Sequence, residues 1–190
     1  MAARTIPLAA ILLFFLLITA GPAFATEARP KIQASSQSGA VRVLADAAYS
    51  ETLTGLIKNA TSRIDLVMFL FKTSPSNNNR PAGLVRELVA AKKRGVAVRV
   101  MLEYSNHDPS LNEANQETAQ ALRKGGVTVF FDSPERTTHA KLAVIDRRYC
   151  LVGSHNLTQA ALKHNHELSL MLDNPALAEE ILTYMETILL

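Results

Sequence analysis

The chain has little cysteine, no tryptophan and little net charge. Its single cysteine, Cys150, excludes an internal disulfide framework and any cysteine-rich zinc site. Three of its seven phenylalanines (Phe14, Phe15, Phe24) fall in the first 25 residues. The remainder therefore holds few aromatic side chains for stacking bases or entering a bilayer. Twenty Lys and Arg against 17 Asp and Glu leave a formal charge of +3, too small to set up a strong polyanion-attracting field. Internal repeats and low-complexity blocks are also missing. What is present, 48% hydrophobic and 19% charged residues, is the composition of a globular domain. It excludes a disordered tail, a collagen-like fibre and a polytopic membrane protein.

Residues 1–25 read as a secretory signal. Arg4 gives the positive start, residues 7–20 are almost wholly apolar, and Gly21-Pro22 breaks the helix before the small-x-small site Ala23-Phe24-Ala25. The apolar run falls short of the ~20 residues that span a bilayer. Cleavage and export, to the periplasm or the medium, are the expectation. Residues 26–39 are a polar lead-in, and residues 40–190 form one domain.

Within that domain apolar periodicity predicts strands at 41–45, 63–71, 96–102, 127–131, 141–146, 149–152 and 167–172. Helices are predicted at 49–60, 81–94, 111–124, 157–162 and from Pro175 onward. The run 63–71 ends in unbroken apolar residues, as a strand covered on both faces requires. Lys92-Lys93-Arg94 followed by Gly95 reads as a helix terminus and not as a nucleic-acid patch. Strands alternating with helices predict an α/β fold, a mixed β-sheet flanked by helices.

Chemistry concentrates between Thr138 and Leu172. His139 and Lys141 are two apart on a predicted strand and so share a face. If Arg147-Arg148 is a two-residue hairpin turn, Lys141 stands opposite Ser154 and His139 opposite Asn156. An imidazole, an ammonium, a hydroxyl and a carboxamide then meet on one patch. That set suits a phosphoryl group: a cation and neutral donors for its oxygens, and an imidazole as nucleophile or proton carrier. Asp146 lies roughly 23 Å from His139 at ~3.3 Å per residue, on the other strand face. Its expected role is in the turn or in an ion pair. Glu167 is placed to accept from the His139 ring and fix its tautomer.

The pattern His139-x-Lys141-x4-Asp146-x6-Gly153-Ser154-x-Asn156, with Glu167 downstream, resembles the signature of the phospholipase D superfamily. The similarity runs over about residues 41–189 and is nearest to the short, exported bacterial endonucleases that carry one motif copy. The resemblance implies metal-independent phosphodiester cleavage with no cofactor. It also implies a homodimer whose site lies on the two-fold axis, because the family's sites use two facing motifs. One His139 would form a phosphohistidine, and the other would protonate the leaving oxygen and then activate water. Lys141 and Asn156 would hold phosphoryl oxygens, Ser154 would assist, Glu167 would orient His139, and Asp146 enters as the third motif residue.

The remaining histidines carry less. His155 alternates away from Ser154 and Asn156 and reads as a bystander. His164 and His166 could share a strand face, but no third metal ligand accompanies them. The glycosylation-like triplets at Asn59 and Asn156 read as chance, since a glycan on Asn156 would block the patch. Expected substrates are DNA or RNA first, on the compact form and the polar loops 72–80 and 103–110, and phosphatidyl lipids second. A catalytically inactive nucleic-acid or membrane-binding module is the third reading.

Overall fold

The computed structural model describes residues 41–188. The expected signal segment and lead-in lie outside the described residues. Twelve elements follow one another: β1 (Val41–Ala45), α1 (Ala47–Asn59), β2 (Arg63–Met68), α2 (Arg80–Lys93), β3 (Ala97–Leu102), α3 (Pro109–Lys124), β4 (Thr128–Phe131), β5 (Lys141–Ile145), β6 (Tyr149–Gly153), α4 (Gln159–Lys163), β7 (Leu168–Asp173) and α5 (Pro175–Ile188). Every predicted element is present, with ends shifted by a few residues.

The strands make one seven-stranded sheet in the order β1-β7-β6-β5-β2-β3-β4. β2, β3 and β4 pair in parallel, and the other neighbours are antiparallel, which is the mixed sheet expected. Alternation along the central strands divides the core between the two faces. Ile64, Leu66 and Met68 of β2, with Ala143 and Ile145 of β5, join the larger cluster, to which α1–α4 contribute. Val67, Leu142, Val144 and Cys150 pack with Ala178, Leu182 and Met185 of α5 on the other face. β5 is buried at all five positions, so its sequence carries no polar alternation.

Local signals set the helix starts. The Asn79 side chain accepts from the Ala82 amide at 2.8 Å, and the Asp108 side chain accepts from Leu111 at 3.0 Å. Pro81 and Pro109 occupy first-turn positions, where a missing N–H costs nothing. Gly95, at φ 96°, turns the chain out of α2 toward β3.

The β5–β6 hairpin departs from expectation. Its ladder runs from Leu142 opposite Val152 to Ile145 opposite Tyr149, so the turn holds three residues, Asp146 to Arg148. Asp146 and Arg147 adopt left-handed φ values of 51° and 54°. The cause is Asp146, whose carboxylate is drawn to the start of β2, where it accepts from the amides of Thr61, Ser62 and Arg63. The one-residue slip removes the predicted pairing of Lys141 with Ser154 and of His139 with Asn156.

Candidate active site

Strand direction gathers the motif residues despite the slip. β2 is antiparallel to β5, and Met68 at the end of β2 pairs with Lys141 at the start of β5. β3 and β4 run parallel to β2, β6 returns antiparallel to β5, and β7 begins opposite the end of β6. The ends of β2, β3, β4 and β6 and the starts of β5 and β7 therefore share one edge of the sheet. Crevices outside strand carboxyl ends are where open α/β sheets bind ligands.

Phe69, directly after β2, is the hub of one half of the site. The Lys141 Nζ lies 5.0 Å from the centre of its ring. The His139 ring packs on it at 4.7 Å between centroids, tilted by 58°. Lys141 is buried and donates from Nζ to the His139 carbonyl at 2.7 Å, which ties the two motif residues together. Burial pushes the Lys141 pKa below its ordinary value, and the Glu167 carboxylate works against that shift. His139 is exposed, as a group that meets a substrate must be.

The other half is built where β6 ends and β7 begins. Ser154 donates from Oγ to Glu167, and the same Oγ accepts from the Leu168 amide at 3.1 Å. The second Glu167 oxygen accepts from Asn165 at 3.1 Å. Among the described residues no hydrogen bond joins Glu167 to His139; the two Glu167 carboxylate oxygens accept from Ser154 and Asn165. Asn156 has its Oδ1 buried and without a hydrogen-bond donor, an acceptor available for a protonated group.

Gly153 makes this half possible. A Cβ there would lie 2.4 Å from the Ser169 Cα, so only glycine lets β6 and β7 approach closely beside Ser154. His155 is fully buried and stacks on Tyr49 at 4.3 Å. Its Nδ1 lies 2.7 Å from the Ser169 hydroxyl and its Nε2 3.0 Å from the Asp46 carbonyl. With both ring nitrogens engaged, and burial lowering its pKa, it belongs to the core. Asp146 sits at the far end of β5, away from His139 and Lys141, so the structure separates the third motif residue from the site. His166 approaches the Asp46 carboxylate at 3.6 Å, and among the described residues no group of three or more His, Cys, Asp or Glu is arranged to hold a metal.

Phe69 escaped the sequence analysis because it lies inside the apolar run 63–71. Glu103, just after β3, and Asp132, just after β4, also escaped it, although both are buried at the same sheet edge. A lone carboxylate at the end of an apolar strand was the available signal.

A family model described as "Cardiolipin synthase, PLD-like domain" matches residues 53–189. The chain belongs to the PLD-like domain family. A phospholipase D of Rickettsia felis is 33% identical over 95 residues, covering 50% of this chain and 45% of that one. A mitochondrial cardiolipin hydrolase of Xenopus laevis is 32% identical over 134 residues, covering 70% of this chain and 57% of that one. The chain spans about half the length of the curated relatives it matches. Among solved structures, the phospholipase D family member Nuc of Salmonella typhimurium superposes with a TM-score of 0.66 at 25% identity, covering 78% of this chain and 93% of that one. NucT of Helicobacter pylori matches in fold, with a TM-score of 0.62 at 18% identity and 95% of that chain covered. In this PLD-like domain the motif residues His139, Lys141, Ser154 and Asn156 all stand at the edge just described, and Asp146 does not.

Proposed function

We propose that this PLD-like protein is a phosphodiesterase that works through a phosphohistidine, in a site completed by a second copy of the chain. The reading rests on one observation: an exposed imidazole, His139, is bound through its own carbonyl to a buried ammonium, Lys141. His139 attacks phosphorus, forming a P–N bond as the P–O bond to the leaving group breaks. The partner's His139 delivers a proton to the leaving oxygen. It then takes a proton from a water whose oxygen attacks phosphorus and breaks the P–N bond. Lys141 and Asn156 hold the non-bridging oxygens, and Ser154 assists. The second imidazole comes from another copy because His155 has both nitrogens engaged inside the core.

Nucleic acid is the substrate this reading favours. The segments flanking the edge, 72–80 and 103–108, are polar, and the exposed Arg136 adjoins His139 in one cleft. The Nuc and NucT structures are covered over 93% and 95% of their lengths, which fits a compact half-site. A phosphatidyl lipid is the second reading. It is favoured by the relatives named phospholipase D and mitochondrial cardiolipin hydrolase, and by the exposed aliphatic residues Val152 and Leu168 near Ser154.

Purified protein, with EDTA present, is offered plasmid DNA, single-stranded DNA and phosphatidylcholine vesicles in parallel. Nicking of DNA without choline release supports the first reading. Choline release without nicking supports the second. A folded protein that turns over none of the three supports a binding module and removes the enzymatic reading.

A further inference from the structure

Two carboxylates are buried side by side behind the catalytic histidine. Glu103 follows β3 and is 1% exposed, and Asp132 follows β4 and is 7% exposed. Glu103 accepts from the Thr138 amide at 2.6 Å, and Thr138 is the residue before His139. Asp132 accepts from the Tyr104 amide at 2.8 Å through Oδ1, while its Oδ2 is buried with no donor. Among the described residues no cation pairs with either carboxylate. Two adjacent buried charges without a cation are costly, and one proton between them removes both the repulsion and the orphaned oxygen.

We propose that Glu103 and Asp132 share a single proton and act as a positioning pair for His139. The protonated Glu103 carboxyl oxygen donates to Asp132, and its other carboxyl oxygen, Oε2, accepts from the Thr138 amide, which fixes where the chain enters β5. Loss of the shared proton leaves two facing carboxylates, whose repulsion pulls Glu103 off Thr138 and releases His139. The inference rests on the phosphodiesterase reading for its effect on turnover, and not for the existence of the pair.

The surroundings agree. Glu103 is anchored on both sides, by its own amide to the Met68 carbonyl at 3.1 Å and by Asn115 of α3 on its carbonyl at 2.9 Å. A cleft of about 210 Å³ joins Asp132 to His139, with Arg136, Thr138 and Tyr184 in its wall. The titratable and charged groups packed around the pair are Tyr104 after β3, Arg123 of α3 over Phe131, Arg136 and His139 between β4 and β5, and Tyr184 of α5. None places a charged atom on either carboxylate. Burial first, and then the Asp132 side chain, push the Glu103 pKa up to about 7.

The test has an arm that needs no activity. In protein labelled with ¹³C at Asp and Glu carboxyls and ¹⁵N at amides, a carboxyl pair titrates near neutral pH, and the Thr138 amide moves with it. In the turnover arm, kcat falls as pH rises past about 7 while KM holds. The Asp132→Asn variant supplies an amide donor in place of the shared proton and removes the facing charge, so Glu103 keeps hold of Thr138 when ionised and the falling limb of kcat near pH 7 is lost. Glu103→Ala lowers kcat about tenfold with KM held, and it lacks the wild-type limb. Absence of any carboxyl titrating near neutrality overturns the proposal, as does an Asp132→Asn profile that superposes on wild type. If no substrate turns over, the phosphodiesterase reading fails, and the labelled titration alone decides on the pair.

Discussion

The Oδ1 atom of Asp146 lies 2.8 Å from the amide nitrogen of Ser62, 84 residues away in the chain. The same carboxylate accepts from the Thr61 amide at 2.9 Å and the Arg63 amide at 3.0 Å, and from both neighbouring hydroxyls. It closes the α1–β2 connection and bends the β5–β6 turn in one contact. Asp146→Ala is expected to cost about 2–3 kcal/mol, a fall in Tm of roughly 5–10 °C, with turnover per folded molecule retained. Thermal melts beside a turnover assay check this. A stable but inactive variant would place Asp146 in the chemistry.

That carboxylate also has a pH signature. Burial raises its pKa, but the amides of Arg63, Thr61 and Ser62 outweigh burial and hold it down, from an ordinary 3.8 to about 2. A depressed folded-state pKa means the stabilisation is complete above the unfolded value and fades as pH drops toward the folded one. Wild type should lose this contribution between pH 3.8 and about 2. Asp146→Asn, which tolerates the left-handed φ, should show a flatter acid-unfolding curve over that window. Parallel curves for the two proteins would contradict the assignment.

Phe69 carries Lys141 on its face and His139 against its ring. Phe69→Leu keeps the bulk and removes the π surface. Turnover should fall roughly tenfold to a hundredfold, from a misplaced nucleophile and a cation–π contact of about 1–2 kcal/mol. Phe69→Tyr should retain most of it. If Phe69→Leu turns over as wild type does, the ring is only filler.

Much of this fold is legible in the chain because its signals are local. Gly95 and the Lys92-Lys93 pair end α2, Pro81 and Pro109 open α2 and α3, and the unbroken apolar run of β2 announces a strand covered on both faces. His139, Lys141, Ser154 and Asn156 stand out in the sequence as one motif, and the strand order, not the predicted hairpin pairing, places them at one edge. What failed depended on distant contacts. The hairpin register turned on Asp146 reaching a loop more than 80 residues away. Glu103 and Asp132 are single carboxylates just past the ends of separate strands, and the parallel pairing of β3 with β4 makes them neighbours.

At Gly153 a Cβ would lie 2.4 Å from the Cα and 2.2 Å from the Oγ of Ser169. The first of these is backbone and cannot swing aside. Gly153→Ala should therefore separate β6 from β7 and cost about 1–3 kcal/mol, with Ser154 displaced from Glu167. Adding Ser169→Ala removes the hydroxyl clash and leaves the Cα clash, so the double variant should not recover. Full recovery in urea unfolding would mean that the side chain alone sets the approach.

A site that needs one His139 from each of two copies predicts how activity responds to mixing. His139→Ala protein, combined with wild type and allowed to exchange subunits, forms mixed dimers with a single imidazole. Those dimers lack either the nucleophile or the proton donor and are dead. Activity should then follow the square of the wild-type fraction, about a quarter at equal amounts. Independent half-sites would instead leave about half, in direct proportion to wild type. Turnover across a mixing series, with exchange confirmed by mass spectrometry of the intact dimers, separates the two curves. A straight line would return the second proton transfer to a group within the same chain, and the exposed His166, next to Glu167, would be the first to replace.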